Sequence, residues 1–444
     1  MPSIRPVNPR QVERLEIPSR GILEEHPPLE GEVTIAVDGG RGDLFERFVG
    51  PAWRALQGHV KCNWICIGRG PEDEHVKARL FDIARSGLVF LRYLQRDDLL
   101  NRICNGREKV DGWYISTPPV SHNASAIPPM HEGLATAWEK PLTIATREAL
   151  EHAKQLDRDF PNTMFPVDFF MTSKALLWLL GTPQGNGLLN KIGTISEIHG
   201  RCIETQPVEP HRGWLTAPET SGGGVGGIDM SVHPIAMMEM ILNKIHLSLD
   251  NAFISDDGEN VVMARYKDAP GNDDVETFMW TRAFIPNDSN PVKLIIDSGK
   301  GTNTNFYGLK VIGKEGELTI GCGTEFHPPF VYFNPLGNDN GKEPVVVTFP
   351  GAGVGYGATI YNFNQFIRDR EANTTPDVPT LKRATTNSIR LVADGYEWLR
   401  TGKIQMQHTK AGEVPDVPEE IVISEDANGL VPPLKTQGRL TVNR

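Results

Sequence analysis

Cysteine is scarce in this chain, with five among 444 residues, at positions 62, 66, 104, 202 and 322. An odd number without regular spacing excludes a disulfide framework and a zinc knuckle, and reads as small buried thiols in a reducing compartment. Long apolar runs are lacking too. No segment approaches the ~18 apolar residues of a membrane span. The opening MPSIRPVNPRQVERLEIPSR carries no signal-peptide core, so a cytoplasmic protein without a membrane partner is expected. Basic charge is short as well: 45 Lys and Arg stand against 56 Asp and Glu, a net charge of -11 with the cations dispersed. No face is left for nucleic-acid phosphates. No His/Cys/Asp cluster has metal-ligand spacing, so no metal is expected.

What remains is an ordinary globular composition, 39% apolar and 23% charged, long enough for two or three domains. Residues 1–29 are rich in proline and charge and read as an arm. From Glu32 the run VTIAV enters the glycine turn DGGRGDL as a buried parallel strand would. FERFVGPAWRAL then has helical spacing at Phe45, Phe48, Val49 and Ala52, and HVKCNWICIG reads as a second strand. LVFLRYL, the helical DDLLNRICN and the strand DGWYISTPPVSH continue the alternation. The pattern predicts an α/β fold, a doubly wound parallel sheet whose ligands lie at the C-terminal strand ends. After about residue 190, ISEIHGRCIETQ, NVVMARYK, ETFMWTRAFI, VKLIID, FYGLKVIG and GELTIG alternate as strands of a large, mostly antiparallel sheet. A helix is predicted over 379–402, stopped by Gly402. The expected division is an arm over 1–29, a dinucleotide-binding domain over 30–165, an α+β substrate domain over 166–403 and an extension over 404–444.

Gly39, Gly40 and Gly42 stand where a strand turns into a helix, the place where backbone N–H groups receive a pyrophosphate. Read alone, the run also suits an ordinary tight turn. With the residues around it, GGRGDLFERFVGPAWRAL resembles the nucleotide-binding fingerprint of glucose-6-phosphate dehydrogenases, on Gly39, Gly42, Asp43, Leu44, Pro51 and Ala52. Gly40 and Arg41 fall within the same turn. Arg69, in CIGRG, stands where an NAD enzyme carries an acid for the ribose 2′-hydroxyl, which favours NADP over NAD; otherwise it is a solvated loop residue. In the glucose-6-phosphate dehydrogenases a phosphate-binding Arg stands just after the same glycine.

STPPVSHNASAIPPMHEGLATAWEKPLT resembles the Thr-Pro … His … Glu-Lys-Pro signature of the glucose-fructose oxidoreductase and inositol dehydrogenase family. The resemblance assigns Thr117, Pro118, His122, Glu139 and Lys140 to the cofactor site and puts Lys140 against the substrate hydroxyl. A cationic donor there stabilises a developing alkoxide. Without the resemblance, Glu-Lys-Pro reads as a charged turn with Pro141 opening a helix.

SGGGVGGIDMSVHPIAMMEMIL places Asp229 and His233 four apart, on one face of a predicted helix. Such a pair is either a structural ion pair or a base with its carboxylate. The stretch is similar to the Gly-Gly … Asp … His motif of the inositol dehydrogenase family, whose Asp and His bind substrate and move the proton. Asp168, in FPVDFFMTSK, matches the Asp that orients the catalytic His of glucose-6-phosphate dehydrogenases, but Phe169 and Phe170 replace the His and Tyr that grip the sugar phosphate. An apolar pair cannot hold a dianion. Trp214, in EPHRGWL, is a candidate for stacking on a sugar face.

The combined resemblance spans roughly residues 32–240 and implies an NAD(P)-dependent sugar oxidoreductase acting on a carbohydrate as a homodimer or homotetramer. His233 would take the proton, Lys140 would polarise the hydroxyl, and Asp229, ahead of Asp168, would orient substrate and base. Three alternatives stand beside it: an elimination or glycosidic cleavage assisted by a tightly bound nucleotide, an enzyme like the glucose-6-phosphate dehydrogenases, and a non-catalytic nucleotide-binding sensor.

Overall fold

Val33, Ile35, Ala36 and Val37 are all buried, as a strand covered on both faces requires. In the computed structural model the described residues are 12–18, 27–39, 49–56, 59–67, 91–209, 215–256, 259–272, 274–287, 290–303, 305–323, 328–336, 343–352, 355–370, 378–410, 412, 413, 415 and 417. The chain begins with a short strand, β1 (Glu13–Glu16), that belongs to the larger of two sheets. It then builds the smaller from β2 (Glu32–Asp38), β3 (Lys61–Ile67), β4 (Leu91–Leu94), β5 (Gly112–Ile115), β6 (Ala135–Trp138) and β7 (Met164–Pro166). All pairings are parallel, in the order β4-β3-β2-β5-β6-β7. That is the doubly wound arrangement, with its switch point between β2 and β5, where ligands of such sheets bind. Helices α1 (Gly50–Ala55), α2 (Arg96–Cys104), α3 (His122–His131) and α4 (Arg147–Asp159) lie between the strands.

Past α5 (Lys174–Gly181) and α6 (Pro183–Lys191), the strands β8 (Ile195–Glu204), β9 (Val261–Tyr266), β10 (Phe278–Ile285), β11 (Val292–Lys300), β12 (Phe306–Gly313), β13 (Gly316–Gly321), β14 (Phe330–Pro335), β15 (Val345–Thr348) and β16 (Gln407–Thr409) complete a ten-stranded sheet with β1. It is mostly antiparallel; β1–β15, β8–β11 and β9–β16 run parallel. The fold is therefore a Rossmann domain followed by an α+β domain with a large open sheet.

Between β8 and β9, a π-helical turn (Val225–Ser231) leads into α7 (Val232–Lys244), which packs on the sheet through Pro234 and Met238 against Gly200. The segment Val225–Lys244 has the length and apolar composition of a membrane span, which corrects the expectation that no segment does, and 94% of its most apolar window is buried inside the protein. Its apolarity is that of a core helix.

Two late helices, α8 (Tyr356–Asp369) and α9 (Val378–Arg400), return to the first sheet and the π-turn. Phe363 on α8 sits 6.0 Å from the Tyr114 ring and 5.6 Å from Phe165. The helix thus covers one face of the parallel sheet. Helix α8 and strands β1, β14, β15 and β16 were not read from the sequence. β1 is exposed at every position, so no alternation marks it. Four cysteines are buried, but Cys104 is exposed, unlike the reading of all five as buried thiols.

Candidate active site

The C-terminal ends of β2, β5 and β6 converge on one region, and each carries part of the site. Gly39 follows β2 with φ +83°, and a Cβ there would lie 2.4 Å from the Ser116 carbonyl oxygen. The glycine is demanded by this crossing as well as by its left-handed backbone. Gly40, Arg41, Gly42, Asp43, Leu44, Arg69 and Trp214 lie outside the described residues. Just ahead of the turn, the buried Asp38 carboxylate pairs with Arg96 at the start of α2, and Arg96 Nη2 also donates to Ser125 Oγ at 3.0 Å. Sequence reasoning missed this pair; an acid closing an otherwise apolar strand was the available signal.

Beyond β5, the Ser116 and Thr117 hydroxyl oxygens are buried with no hydrogen-bond partner among the described residues. A buried hydroxyl normally has one, so the pair suits a ligand that supplies polar atoms at the switch point. Pro118 is exposed and caps a short 3₁₀ turn, Pro119–Ser121. His122, 1% exposed, sets Nδ1 2.9 Å from the Pro141 carbonyl and Nε2 2.7 Å from that of Thr117. Each ring nitrogen faces a carbonyl oxygen, and since burial favours the neutral ring, the nitrogen that carries the hydrogen donates to one of them while the side chain packs between the loops after β5 and β6.

After β6, Glu139 is buried; the Tyr114 hydroxyl donates to its Oε1 at 2.5 Å and the Lys140 N–H to its Oε2 at 3.2 Å. Burial pushes its pKa up to about 7, against the lowering pull of those contacts and the Lys140 charge. Glu139 thus braces the loop. The Lys140–Pro141 bond is cis, and the next helix begins only at Arg147, capped by Thr146, so Pro141 does not open a helix.

The Lys140 ammonium reaches across to the π-turn, 2.6 Å from Asp229 Oδ1 and 3.2 Å from the Asp229 carbonyl oxygen. Burial pulls the lysine pKa down, but the carboxylates of Asp229, Glu139 and Asp168 together outweigh it, and the ammonium is held above its ordinary value. The π-turn itself is pinned from behind. The Tyr396 hydroxyl of α9 accepts from Gly224 N–H at 2.7 Å and donates to Glu276 Oε1 at 2.5 Å, and the same oxygen accepts from Gly227 N–H at 2.9 Å. A Cβ on Gly224 would stand 2.0 Å from Glu276 Oε2, so that glycine is a matter of space.

His233 lies just inside α7, 3% exposed, with Nδ1 2.9 Å from Asp168 Oδ1. Asp168 Oδ1 also accepts the Phe170 N–H at 3.0 Å. Since a carboxylate only accepts, Nδ1 carries the hydrogen and Nε2 presents its lone pair. Burial lowers the His233 pKa; Asp168 opposes this and the nearby Lys140 charge adds to it. The ring is therefore neutral at neutral pH. Of the two carboxylates weighed as its partner, Asp168 makes the hydrogen bond, while Asp229 holds the lysine. Asp229 belongs to the π-turn and His233 to the α-helix, so the two do not share one regular helical face.

No family model and no curated protein matches the sequence. Solved structures do match in three dimensions. A 3-ketoreductase from Actinomadura kijaniata, crystallised with NADP and TDP-benzene, superposes with a TM-score of 0.60 at 17% identity over 86% of this chain and 99% of its own. Glucose-6-phosphate 1-dehydrogenase from Mycobacterium avium gives 0.61 at 15%, over 86% and 95%. A levoglucosan dehydrogenase, complexed with NADH and levoglucosan, gives 0.62 at 15%, over 83% and 98%. The chain shares their fold. At these identities the likeness concerns architecture, and the functional reading depends on the residues above.

Proposed function

We propose that the protein is an NAD(P)-dependent oxidoreductase that oxidises, reversibly, a secondary alcohol of a sugar or sugar derivative. The observation that carries this reading is the convergence of two carboxylate-supported groups, Lys140 with Asp229 and His233 with Asp168, beside the switch point of the parallel sheet. The Ser116 and Thr117 hydroxyls, unpartnered among the described residues, and the turn at Gly39 suit a dinucleotide there. Arg69 favours NADP. Two proteins of this fold were crystallised with a nicotinamide dinucleotide, one with NADP and TDP-benzene and the other with NADH and levoglucosan.

A bound nicotinamide supplies the hydride acceptor. His233 Nε2 takes the hydroxyl proton while the hydride leaves the same carbon, and Asp168 stabilises the resulting imidazolium. Lys140 donates to the substrate oxygen as it gains negative charge, and Asp229 keeps that ammonium charged and aimed. In reduction of the ketone, His233 returns the proton.

The test is absorbance at the reduced-nicotinamide band with NADP or NAD and a panel of sugars. A rise with one sugar supports the reading. No rise with any of them, although nucleotide stays bound, would overturn net dehydrogenation in favour of an elimination or cleavage with internal redox.

A further inference from the structure

A helix leaves the N–H groups of its first turn without partners inside itself. The π-turn that carries Asp229 is preceded by Gly224, which has no side chain to cap it, and the partners come instead from two distant elements. The Gly224 N–H donates to the Tyr396 hydroxyl of α9 at 2.7 Å, the Val225 N–H to the Glu276 carbonyl at 3.1 Å, and the Gly227 N–H to Glu276 Oε1 at 2.9 Å. The Tyr396 hydroxyl closes the ring by donating to the same Oε1 at 2.5 Å.

The fit is close and the cap is itself anchored. A Cβ on Gly223 or Gly227 would stand 2.7 or 2.6 Å from the Tyr396 hydroxyl oxygen, and one on Gly226 2.5 Å from the Met279 nitrogen. Arg265 Nη1 donates to the Val275 carbonyl at 2.8 Å and Thr277 Oγ1 accepts the Tyr266 N–H at 3.1 Å, so the chain on either side of Glu276 is tied to β9.

The other end of the turn meets the reacting lysine. Asp229 presents its carboxylate and its main-chain carbonyl to Lys140 Nζ. Five positions on stands Pro234, which has no N–H, so the i→i+5 pattern of the turn cannot use the Asp229 carbonyl, and that oxygen accepts from Nζ at 3.2 Å. Rewound as an α-helix, with fewer residues per turn, the segment would rotate Asp229 about the axis and off the lysine.

We propose that Tyr396 and Glu276 are positioning residues: together they cap the π-turn from outside it, and the cap keeps Asp229 against Lys140. The proposal rests on the oxidoreductase reading and adds to it the last long helix and the β9–β10 loop. Both residues are buried and act through the turn. The tyrosine hydroxyl is needed because it accepts and donates at once, which phenylalanine cannot do. Glu276 is needed as an acceptor oxygen, which glutamine also supplies.

The experiment is competitive labelling of the full chain with acetic anhydride from pH 7 to pH 10, reading Lys140 by mass spectrometry against the exposed Lys109. Only the unprotonated amine reacts. In Tyr396→Phe the Lys140 profile should shift to lower pH, raising its labelling at pH 9 about tenfold, because a carboxylate held less closely favours the ammonium less. NADP affinity should stay at the wild-type value. Glu276→Gln should label as the wild type does; Asp229→Asn should match Tyr396→Phe, and the double variant should add nothing. An unshifted profile in Tyr396→Phe, even with a lowered melting temperature, would make the residue a structural brace and overturn the proposal. So would a shifted profile in Glu276→Gln, or effects that multiply in the double variant. A shift in Tyr396→Phe without reduced nicotinamide in the wild type upholds the positioning of Lys140 and sinks the oxidoreductase reading. Reduced nicotinamide with an unshifted profile does the reverse.

Discussion

Lys140 Nζ and Asp229 Oδ1 stand 2.6 Å apart although 89 residues separate them in sequence, and their contact joins the parallel-sheet domain to the π-turn that rests on the second sheet. The ammonium keeps its charge in a buried place because this carboxylate, together with Glu139 and Asp168, offsets the loss of water. Replacing Lys140 by Ala should lower kcat by about 10²- to 10³-fold, the usual cost of losing one donor to a developing oxyanion. Dinucleotide affinity, measured by titration, should survive. Activity within a few-fold of the wild type would remove Lys140 from the chemistry.

Asp168 and His233 form the second pair, and their consequence is read in pH. Burial depresses the His233 pKa and Asp168 limits that depression. Oxidation needs the neutral ring, so its rate should hold below the ordinary histidine pKa and fall only as the pH drops through the depressed value. Asp168→Asn should move this acid limb lower still and cut kcat by about 10²-fold or more, through loss of tautomer control and of imidazolium stabilisation. An unmoved limb in the variant would mean that His233 is not the titrating base.

Gly39→Ala tests the switch point. The side chain would be forced into the left-handed region at φ +83° and driven 2.4 Å from the Ser116 carbonyl. The backbone strain alone costs about 1–3 kcal/mol, and the β2 and β5 ends must separate to relieve the clash. Both the melting temperature and dinucleotide affinity should fall. Wild-type values for both would show that the two loops are not packed as described.

Glu276 makes stability depend on pH. Burial raises its pKa to about 7 despite the hydrogen bonds from Tyr396 and Gly227. The folded protein thus binds this proton more tightly than the unfolded chain, so the contribution is full below about pH 4.5 and lost as the pH rises through about 7. Glu139, raised to about 7 as well, acts in the same direction. The melting temperature of the wild type relative to Glu276→Gln should therefore decline between pH 5 and pH 8. A flat difference across that window would show that Glu276 does not titrate there.

The features legible in the sequence are those written within a few residues. The strand-to-glycine turn at Val33–Gly39, the strand ending at Thr117, Lys140 in its charged tripeptide and the glycine run before Asp229 all stood out. Each depends on a local period or on a backbone conformation that few residue types accept. Strands β8 to β13 of the second sheet were legible for the same reason, while the apolar β14 and β15 were not read. Strand β1, with four exposed residues paired in register with β15, was not, because no buried side chain marks it.

By itself, then, the sequence determined that a parallel sheet with a glycine turn precedes a large open sheet, and which residue types were available for chemistry. Tertiary structure decided the partnerships. It gave Asp168 to His233 and Asp229 to Lys140, engaged His122 and Glu139 in bracing loops, set Arg96 against Asp38, and brought Tyr396 from the last long helix behind the π-turn. These contacts join residues tens to hundreds of positions apart. They follow from sheet register, from the crossing of β2 and β5 and from the return of α9, none of which leaves a periodic mark in the chain between the partners.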